Sequence, residues 1–343
     1  ADDHEVARIE HGSRVTAVAF SPNGDLLATG SDDGTARLIR TVDGKEAARI
    51  EHSDTVSAVA FNPKGDLLAT GSRDGSARLI RTADGKEAVR IEHGSTVNAV
   101  AFSPKGDLIA TASDDGSARL IRTADGKEVA RARHDEPVNA VAFNPSGELL
   151  ATGSSRNARL IRTVDGKEVA RIKHNYAVLA IAFNPNGDLL VTGSADGGAR
   201  LIRTVDDKEV ARIEHGNTVP AVAFSPKGDL LATGSRDGSA RLIRTSDGSE
   251  VARIEHSSPV TAVAFSPGGE LLATASWDGS ARLFLTPDRV FKKLCRERVG
   301  RNLSAEEWQR HIGPVKDWEP TCREWASEPS LLAAWQARNG GQN

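Results

Sequence analysis

Seven copies of one phrase constrain most of what this chain is able to fold into. The pattern H-x-x-x-V-x-A-V/I-A-F-S/N-P recurs with its histidine at His11, His52, His93, His134, His174, His215 and His256. The spacing is 41 residues throughout, except 40 between His134 and His174. A repeat of this length is one supersecondary unit that cannot bury its apolar face alone and gains stability by stacking on its neighbours. After the seventh copy the composition changes.

Within one copy the pattern predicts four strands. "VTAVAFSPNGD" (15–25) reads as an apolar strand ended by a Pro-x-Gly turn, and "LLATGSDDG" (26–34) as a second ended by Asp-Gly. "TARLIRTVDGK" (35–45) is a third with its own Asp-Gly turn, and the more polar "EAARIEH" (46–52) is the fourth and outermost. Four short strands per unit of this length predict the blade of a β-propeller. The expected fold is therefore all-β, a seven-bladed propeller of four-stranded antiparallel blades over residues 1–286. The unpaired N-terminal "EVARIEH" (5–11) is expected to supply the outer strand that the seventh copy lacks, which would close the ring.

The repeats resemble those of the WD-repeat family over roughly residues 5–286. That family places a His before the inner strand, a Ser or Thr in the second, an Asp in the next turn and Trp-Asp in the third. The matching trios here are His11/Ser31/Asp33, His52/Ser72/Asp74, His93/Ser113/Asp115, His174/Ser194/Asp196, His215/Ser235/Asp237 and His256/Ser276/Asp278. The resemblance implies that each trio is a hydrogen-bonded set that stiffens its blade. Where the family writes Trp-Asp, this chain writes Ile-Arg, at Ile39, Ile80, Ile121, Ile161, Ile202 and Ile243, with Phe284 in the last copy. Isoleucine fills a strand core but offers no indole N–H. The following arginines (Arg40, Arg81, Arg122, Arg162, Arg203, Arg244) are expected to pair across strands with glutamates such as Glu46 and Glu87, each pair contributing at most about 1 kcal/mol. The fourth copy, "GSSRNARL" (153–160), is a residue short, has no Asp to answer His134, and predicts an irregular turn at 155–157 and a weaker blade.

A His, Ser and Asp in every repeat invites comparison with a hydrolase. Catalysis, however, needs one asymmetric site with an oxyanion hole or an open metal position, not a trio confined to each blade. The chain contains no G-x-x-x-x-G-K-[ST], H-E-x-x-H or G-x-S-x-G. The sequence therefore predicts no enzyme, cofactor or metal. A net charge of −3 argues against a general nucleic-acid or anionic-membrane binder, and no apolar run is long enough to span a bilayer. A cytoplasmic domain, monomeric by itself, is the expectation.

Comparing the copies with each other shows where they differ. Variation collects in the loop and strand after each His and in the residue before the turn Asp. The first set includes Arg14 and Thr16, Ser57, Asn98, Asn139, Tyr176 and Leu179, Pro220, and Pro259 and Thr261. The second is Asp32, Arg73, Asp114, Ala195, Arg236 and Trp277, with Arg156 near the corresponding turn of the short copy. Both sets are expected on one face, because the connection entering the first strand and the hairpin leaving the second lie at the same end of a blade. Copies one to three give a mixed-charge arc. Copies five to seven give Tyr176, Ala177, Leu179, Ala195, Pro220, Pro259 and Trp277 with Arg236 between, and Tyr, Trp and Arg are the residue types enriched at interface hot spots. A protein or peptide partner fits this better than nucleic acid, which would want an excess of Lys and Arg.

The last segment, 287–343, predicts a small helical appendage packed on the propeller. Val290, Phe291, Leu294 and Cys295 have helical spacing, and "SAEE" (304–307) is a capping box. Cys295 and Cys322 could bond to each other. The motif "LC…RNLS-x-EEW…G…P-x-C" is similar to a tail found after WD-repeat arrays in bacterial multidomain proteins that carry a STAND-class ATPase or a Ser/Thr kinase. That implies the recognition part of a larger bacterial signalling or defence protein. The chain has no Met and opens in mid-pattern at "ADDHEVARIEH", which reads as a domain cut from a longer polypeptide or a processed chain. Rival readings are a lectin-like propeller that binds a small ligand or glycan, a hydrolase in the central channel, and a product of repeat amplification with no dedicated partner.

Overall fold

The computed structural model describes residues 11–265, 268–269, 271–277 and 281–286. Among these residues there are 27 strands and no helix, in six four-stranded antiparallel sheets and one three-stranded sheet. The expected 5–11 outer strand falls almost wholly outside the described residues, and the 287–343 appendage, with Cys295 and Cys322, wholly so.

Each sheet is one repeat, its strands hydrogen-bonded in chain order. In the first repeat they are β1 (Val15–Phe20), β2 (Leu26–Ser31), β3 (Thr35–Arg40) and β4 (Glu46–Glu51). In the second they are β5 (Val56–Phe61), β6 (Leu67–Ser72), β7 (Ser76–Arg81) and β8 (Glu87–Glu92). The turns between them follow from residue chemistry. Gly34, in the Asp-Gly turn, has φ +80°, and a Cβ there would lie 2.8 Å from the His52 carbonyl, so only glycine fits. At the other end the Thr41 hydroxyl donates to the Gly24 carbonyl at 2.8 Å, tying the end of β3 to the first hairpin.

The core lies between sheets. Because side chains alternate along a strand, Leu79 and Ile80 on β7 enter two different cores. Ile80 joins Leu68 and Val56 against Ala28, Ala36, Leu38 and Ile50 of the first repeat. Leu79 joins Ala69, Ala77 and Ile91 against Val97, Ile109 and Ile121 of the third. The isoleucines in place of tryptophan are thus buried, Ile80 and Ile121 to 1% exposure. At the inner edge Gly30 admits the next repeat closely, since a Cβ there would sit 2.9 Å from Val56 Cγ1. The same contact recurs at 2.9 Å between Gly71 and Val97 and at 2.8 Å between Gly153 and Val178.

The outer pairs contain a register shift, between Leu79 and Ile80 in the second repeat, which places Ile80 opposite Glu87. Arg81 then falls beyond the ladder. Its guanidinium binds Asp84 of the adjoining turn, at 2.9 and 3.2 Å, and not Glu87. Arg40, Arg122, Arg162, Arg203 and Arg244 likewise bind Asp43, Asp125, Asp165, Asp206 and Asp247. The cross-strand Arg–Glu pairing expected from the sequence is therefore corrected: these arginines close their own turns.

The short fourth repeat keeps full-length strands. Leu149–Ser154 and Asn157–Arg162 pair in the usual register from Leu149↔Arg162 to Gly153↔Ala158. The tighter turn is held by Ser154 Oγ on the Asn157 carbonyl at 3.1 Å.

The chain divides into two compact units. The described residues of one are 11–264, 274–277 and 281, and those of the other are 265, 268–269, 271–273 and 282–286. In the second unit the Thr286 hydroxyl donates to the Gly269 carbonyl at 2.8 Å, the counterpart of the Thr41 tie.

Candidate functional site

In the first, second, third and sixth repeats a buried polar network joins the strands at the end where the copies differ. In the second repeat His52 Nδ1 bonds Asp74 Oδ2 at 2.9 Å, and its Nε2 bonds Thr70 Oγ1 at 2.9 Å. The Ser76 hydroxyl donates to the other Asp74 oxygen at 2.7 Å. The corresponding His–Asp bonds are 3.2 Å at His11–Asp33, 3.0 Å at His93–Asp115 and 3.2 Å at His215–Asp237. Burial by itself would raise the Asp74 carboxyl. Hydrogen bonds from the Ser76 hydroxyl and amide and from His52 outweigh it and hold the group well below the usual carboxylate range. Burial, with Arg78 adding to it, pushes His52 down and keeps it neutral near pH 7, against the opposing pull of Asp74.

The serines of the expected trios do a different job. Ser72 Oγ accepts the Asp74 N–H at 3.1 Å and donates to the Asp54 carbonyl at 3.1 Å. Ser113 and Ser235 accept the N–H of Asp115 and Asp237 at 3.1 Å, and donate to the carbonyls of Ser95 at 3.1 Å and Asn217 at 2.8 Å. Ser31 and Ser194 make the same two bonds more loosely, reaching the Ser13 and Tyr176 carbonyls at 3.4 and 3.5 Å. Ser276 donates to the Ser258 carbonyl at 2.9 Å. In the first, second, third and sixth repeats the aspartate thus links the serine to the histidine, with no direct bond between the two. Each serine stands where its strand runs into the turn, so its short side chain stitches that turn to the loop after the His.

The other ring nitrogen of the His meets the threonine two residues earlier on the same strand face: Thr29, Thr70, Thr111, Thr152, Thr192, Thr233 and Thr274. These were missed, although a Thr stands at that place in every copy. Also missed were the first arginines of "ARLIR". Arg78 reaches Asp74 at 3.4 Å, Glu87 at 3.6 Å and the Glu51 carbonyl at 2.9 Å.

Two repeats depart. His134 has no aspartate, as its sequence requires, and its Nδ1 is buried without a partner. His174 was matched to Asp196, but the structure forms no bond between them: His174 Nδ1 and Asp196 Oδ2 are both buried and unpartnered. The cause is Gly198, which stands where Ser76 supplies the hydroxyl that fixes Asp74; Asp196 Oδ1 keeps the Gly198 N–H, at 2.8 Å, and Arg200 approaches only to 3.8 Å. Burial depresses both His134 and His174 to about 4. An unpaired buried nitrogen of this kind costs about 1–3 kcal/mol. Asp278 lies outside the described residues, while His256 retains Thr274 at 2.8 Å.

These networks place the varied residues. The residue before each turn Asp donates its N–H to the third residue after the His: Asp32 to Arg14, Arg73 to Thr55 and Asp114 to Thr96, each at 2.9 Å. Ala195 bonds Ala177 at 2.8 Å, and Arg236 bonds Thr218 and Trp277 bonds Pro259 at 2.9 Å. The two varied sets therefore adjoin within each of these repeats. Several members are spent on the scaffold. Arg14 binds Asp32 at 3.0 Å, Asn98 binds Asp114 at 2.6 Å, and Arg156 meets Glu136 at 3.6 Å. Thr16, Asn98 and Asn139 donate to the backbone carbonyls of Val56, Val138 and Val178 in the next repeat.

The last repeats are different. Tyr176 and Trp277 are each 61% exposed. The Arg236 guanidinium lies over the Trp277 ring, 5.5 Å from its centroid, and no acid pairs with it among the described residues. Leu179, Ala195, Pro220, Pro259 and Thr261 are half-buried around this end, and Ser57 and Arg73 lie at the corresponding end of the second repeat, Arg73 exposed. Among the described residues no group of three or more His, Cys, Asp or Glu could hold a metal, and no helix is long and apolar enough to cross a membrane.

Successive four-stranded antiparallel sheets, most of them clamped by a His–Asp–Thr network, define a β-propeller of WD repeats. The family described as WD domain, G-beta repeat matches residues 5–40, 208–244 and 248–284. The family described as Anaphase-promoting complex subunit 4 WD40 domain matches residues 59–141, 100–178 and 141–222. The chain belongs to the WD-repeat family. A search of the curated proteins gives no match. WD repeats generally serve as scaffolds for protein–protein interaction and are typically not enzymes.

Proposed function

We propose that this chain is a non-enzymatic scaffold that binds a protein or peptide on the face bearing the Asp turns, anchored in repeats five to seven. The observation that carries this reading is the Arg236–Trp277 pair, an exposed indole with a guanidinium across it that meets no acid among the described residues. Ordering two such side chains at the surface costs entropy that a buried interface returns. Tyr176 extends the same chemistry into repeat five, and the acids and arginines of repeats one to four form a polar flank.

On this reading the repeats close as seven blades, with 5–11 as the outer strand of the last. The tail motif supports a recognition module of a larger bacterial signalling protein working in the cytoplasm.

The test is affinity capture with the intact chain and with the triple variant Tyr176→Ala/Arg236→Ala/Trp277→Ala, after circular dichroism has shown both to be folded. Retention of one protein by the intact chain and its loss by the variant supports the reading. Identical capture by both, or none, sinks it.

A further inference from the structure

Repeat four has lost an aspartate and kept the donors that surround it elsewhere. In repeats two and three a single carboxylate oxygen receives three groups. The His Nδ1 approaches Asp74 at 2.9 Å and Asp115 at 3.0 Å, and the N–H of the next residue does so at 3.2 Å from Ser53 and 3.1 Å from Gly94. The arginine of the third strand adds contacts of 3.4 Å from Arg78 and 3.1 Å from Arg119. Repeat one repeats the set with His11, Gly12 and Arg37 around Asp33.

In repeat four the corresponding groups are His134, the Asp135 N–H and Arg159. Arg159 keeps Glu168 at 3.4 Å and the Arg133 carbonyl at 3.0 Å, which match Glu87 and the Glu51 carbonyl around Arg78. The aspartate is missing, and so is the serine hydroxyl that meets the arginine Nε in repeats two and three, Asn157 standing in its place. His134 Nδ1 registers the first loss and Arg159 Nε the second: both are closed to solvent with no hydrogen-bond partner, on residues each 8% exposed. The neighbouring acids do not fill the place: Glu136 is turned to Arg156 at 3.6 Å, and Asp135 is exposed. The charged groups acting on His134 are Arg159 and Arg171 on one side of the balance and Glu168 and Asp135 on the other.

We propose that His134, Arg159 and the Asp135 N–H form a binding site for a small carboxylate anion of formate or acetate size. The size follows from what repeat four lacks, one carboxylate on one methylene. The enclosure of both donors selects a small free anion over a side chain of a docked protein. Bound there, the anion accepts from His134 Nδ1–H and from Arg159, and fixes the tautomer in which Nε2 accepts from Thr152, 3.1 Å away. No bond is made or broken; the site is a ligand-completed version of the network that the other repeats carry covalently.

The experiment follows the ring nitrogens of the histidines by NMR in the full chain, titrating sodium formate near neutral pH at ionic strength held constant with sodium sulfate. The expected result is a saturable shift of His134 toward the Nδ1–H pattern of His52 and His93, which stay fixed because their Nδ1 already meets an aspartate. A second chain, in which residues 155–157 are replaced by the Arg-Asp-Gly-Ser of repeat two, supplies the carboxylate itself. It should show that pattern without formate and ignore the titration. His134 resonances that do not move, or that drift without saturation alongside His52 and His93, overturn the proposal. So does an equal response from the repaired chain. The titration of the unmodified protein decides the matter even where the repaired chain does not fold.

Discussion

Arg78 and Arg90 stand directly opposite each other on the two outer strands of repeat two, and Glu87 binds both. Like charges facing across a ladder are destabilising. Here the Arg90 fork grips both Glu87 oxygens at 3.0 Å, while Arg78 is shared with Asp74 below. The pair at Arg37 and Arg49 is bridged in the same way by Glu46.

Removing that bridge should cost more than removing a turn pair. Glu87→Gln leaves two guanidinium groups opposed and should lower stability by about 1 kcal/mol, with the loss shrinking at high salt. Arg81→Ala loses only its exposed, solvent-screened contact with Asp84 and should cost less. Urea titrations of both variants give the comparison. Equal costs would mean that Glu87 does not act as a bridge.

Stability should rise with pH across the range in which the buried histidines are neutral only in the folded chain. His134 and His174 sit at about 4 in the fold, and an exposed histidine at about 6.5. Between those values the unfolded chain binds more protons, so unfolding becomes easier as pH falls. The depressed aspartates add to this below their unfolded value of about 3.9. Denaturant midpoints measured from about pH 7 to about pH 4 should therefore fall steadily, and His134→Gln should reduce the slope by up to one proton. A flat profile would contradict the burial described for these rings.

Restoring the tryptophan of the family signature should harm this protein. Ile80 fills the core between repeats one and two completely, so Ile80→Trp overpacks it and should cost about 1–3 kcal/mol. Ile80→Ala should cost about 2–5 kcal/mol by leaving a cavity. Calorimetry of the two variants checks this; a gain in melting temperature for Ile80→Trp would show that the core adapts.

Arg236→Ala and Trp277→Ala should separate binding from folding. Each gives up an exposed cation–π contact of about 0.5–1 kcal/mol, so melting should move little. Partner capture should fall sharply in both.

The period, the strand order and the turn positions were legible in the sequence because Asp-Gly, Pro-x-Gly and alternating apolar residues each act locally. The polar pairings were not. Ser72 and Thr70 share a strand face, and only the depth of His52 between sheets selects Thr70 as its partner. Arg81 misses Glu87 because the ladder slips between Leu79 and Ile80, a shift of one residue that composition does not encode. The break between His174 and Asp196 had a visible cause, Gly198 in place of a serine, but its effect needed the geometry of the intact repeats to be read.

The joint at Gly30 and Val56, repeated at Gly71 and Val97 and again at Gly153 and Val178, has a consequence for how such a gene changes. The second strand of most units carries the socket that receives the start of the next, Ala112 taking the place of the glycine in repeat three, so an unequal crossover that removes or adds a whole unit leaves the remaining junctions with mates of the same kind. Inheritance can therefore reorder the exposed residues in unit-sized blocks, carrying Tyr176 or the Arg236 turn to a new neighbour, while the packing that holds the array together remains unaltered.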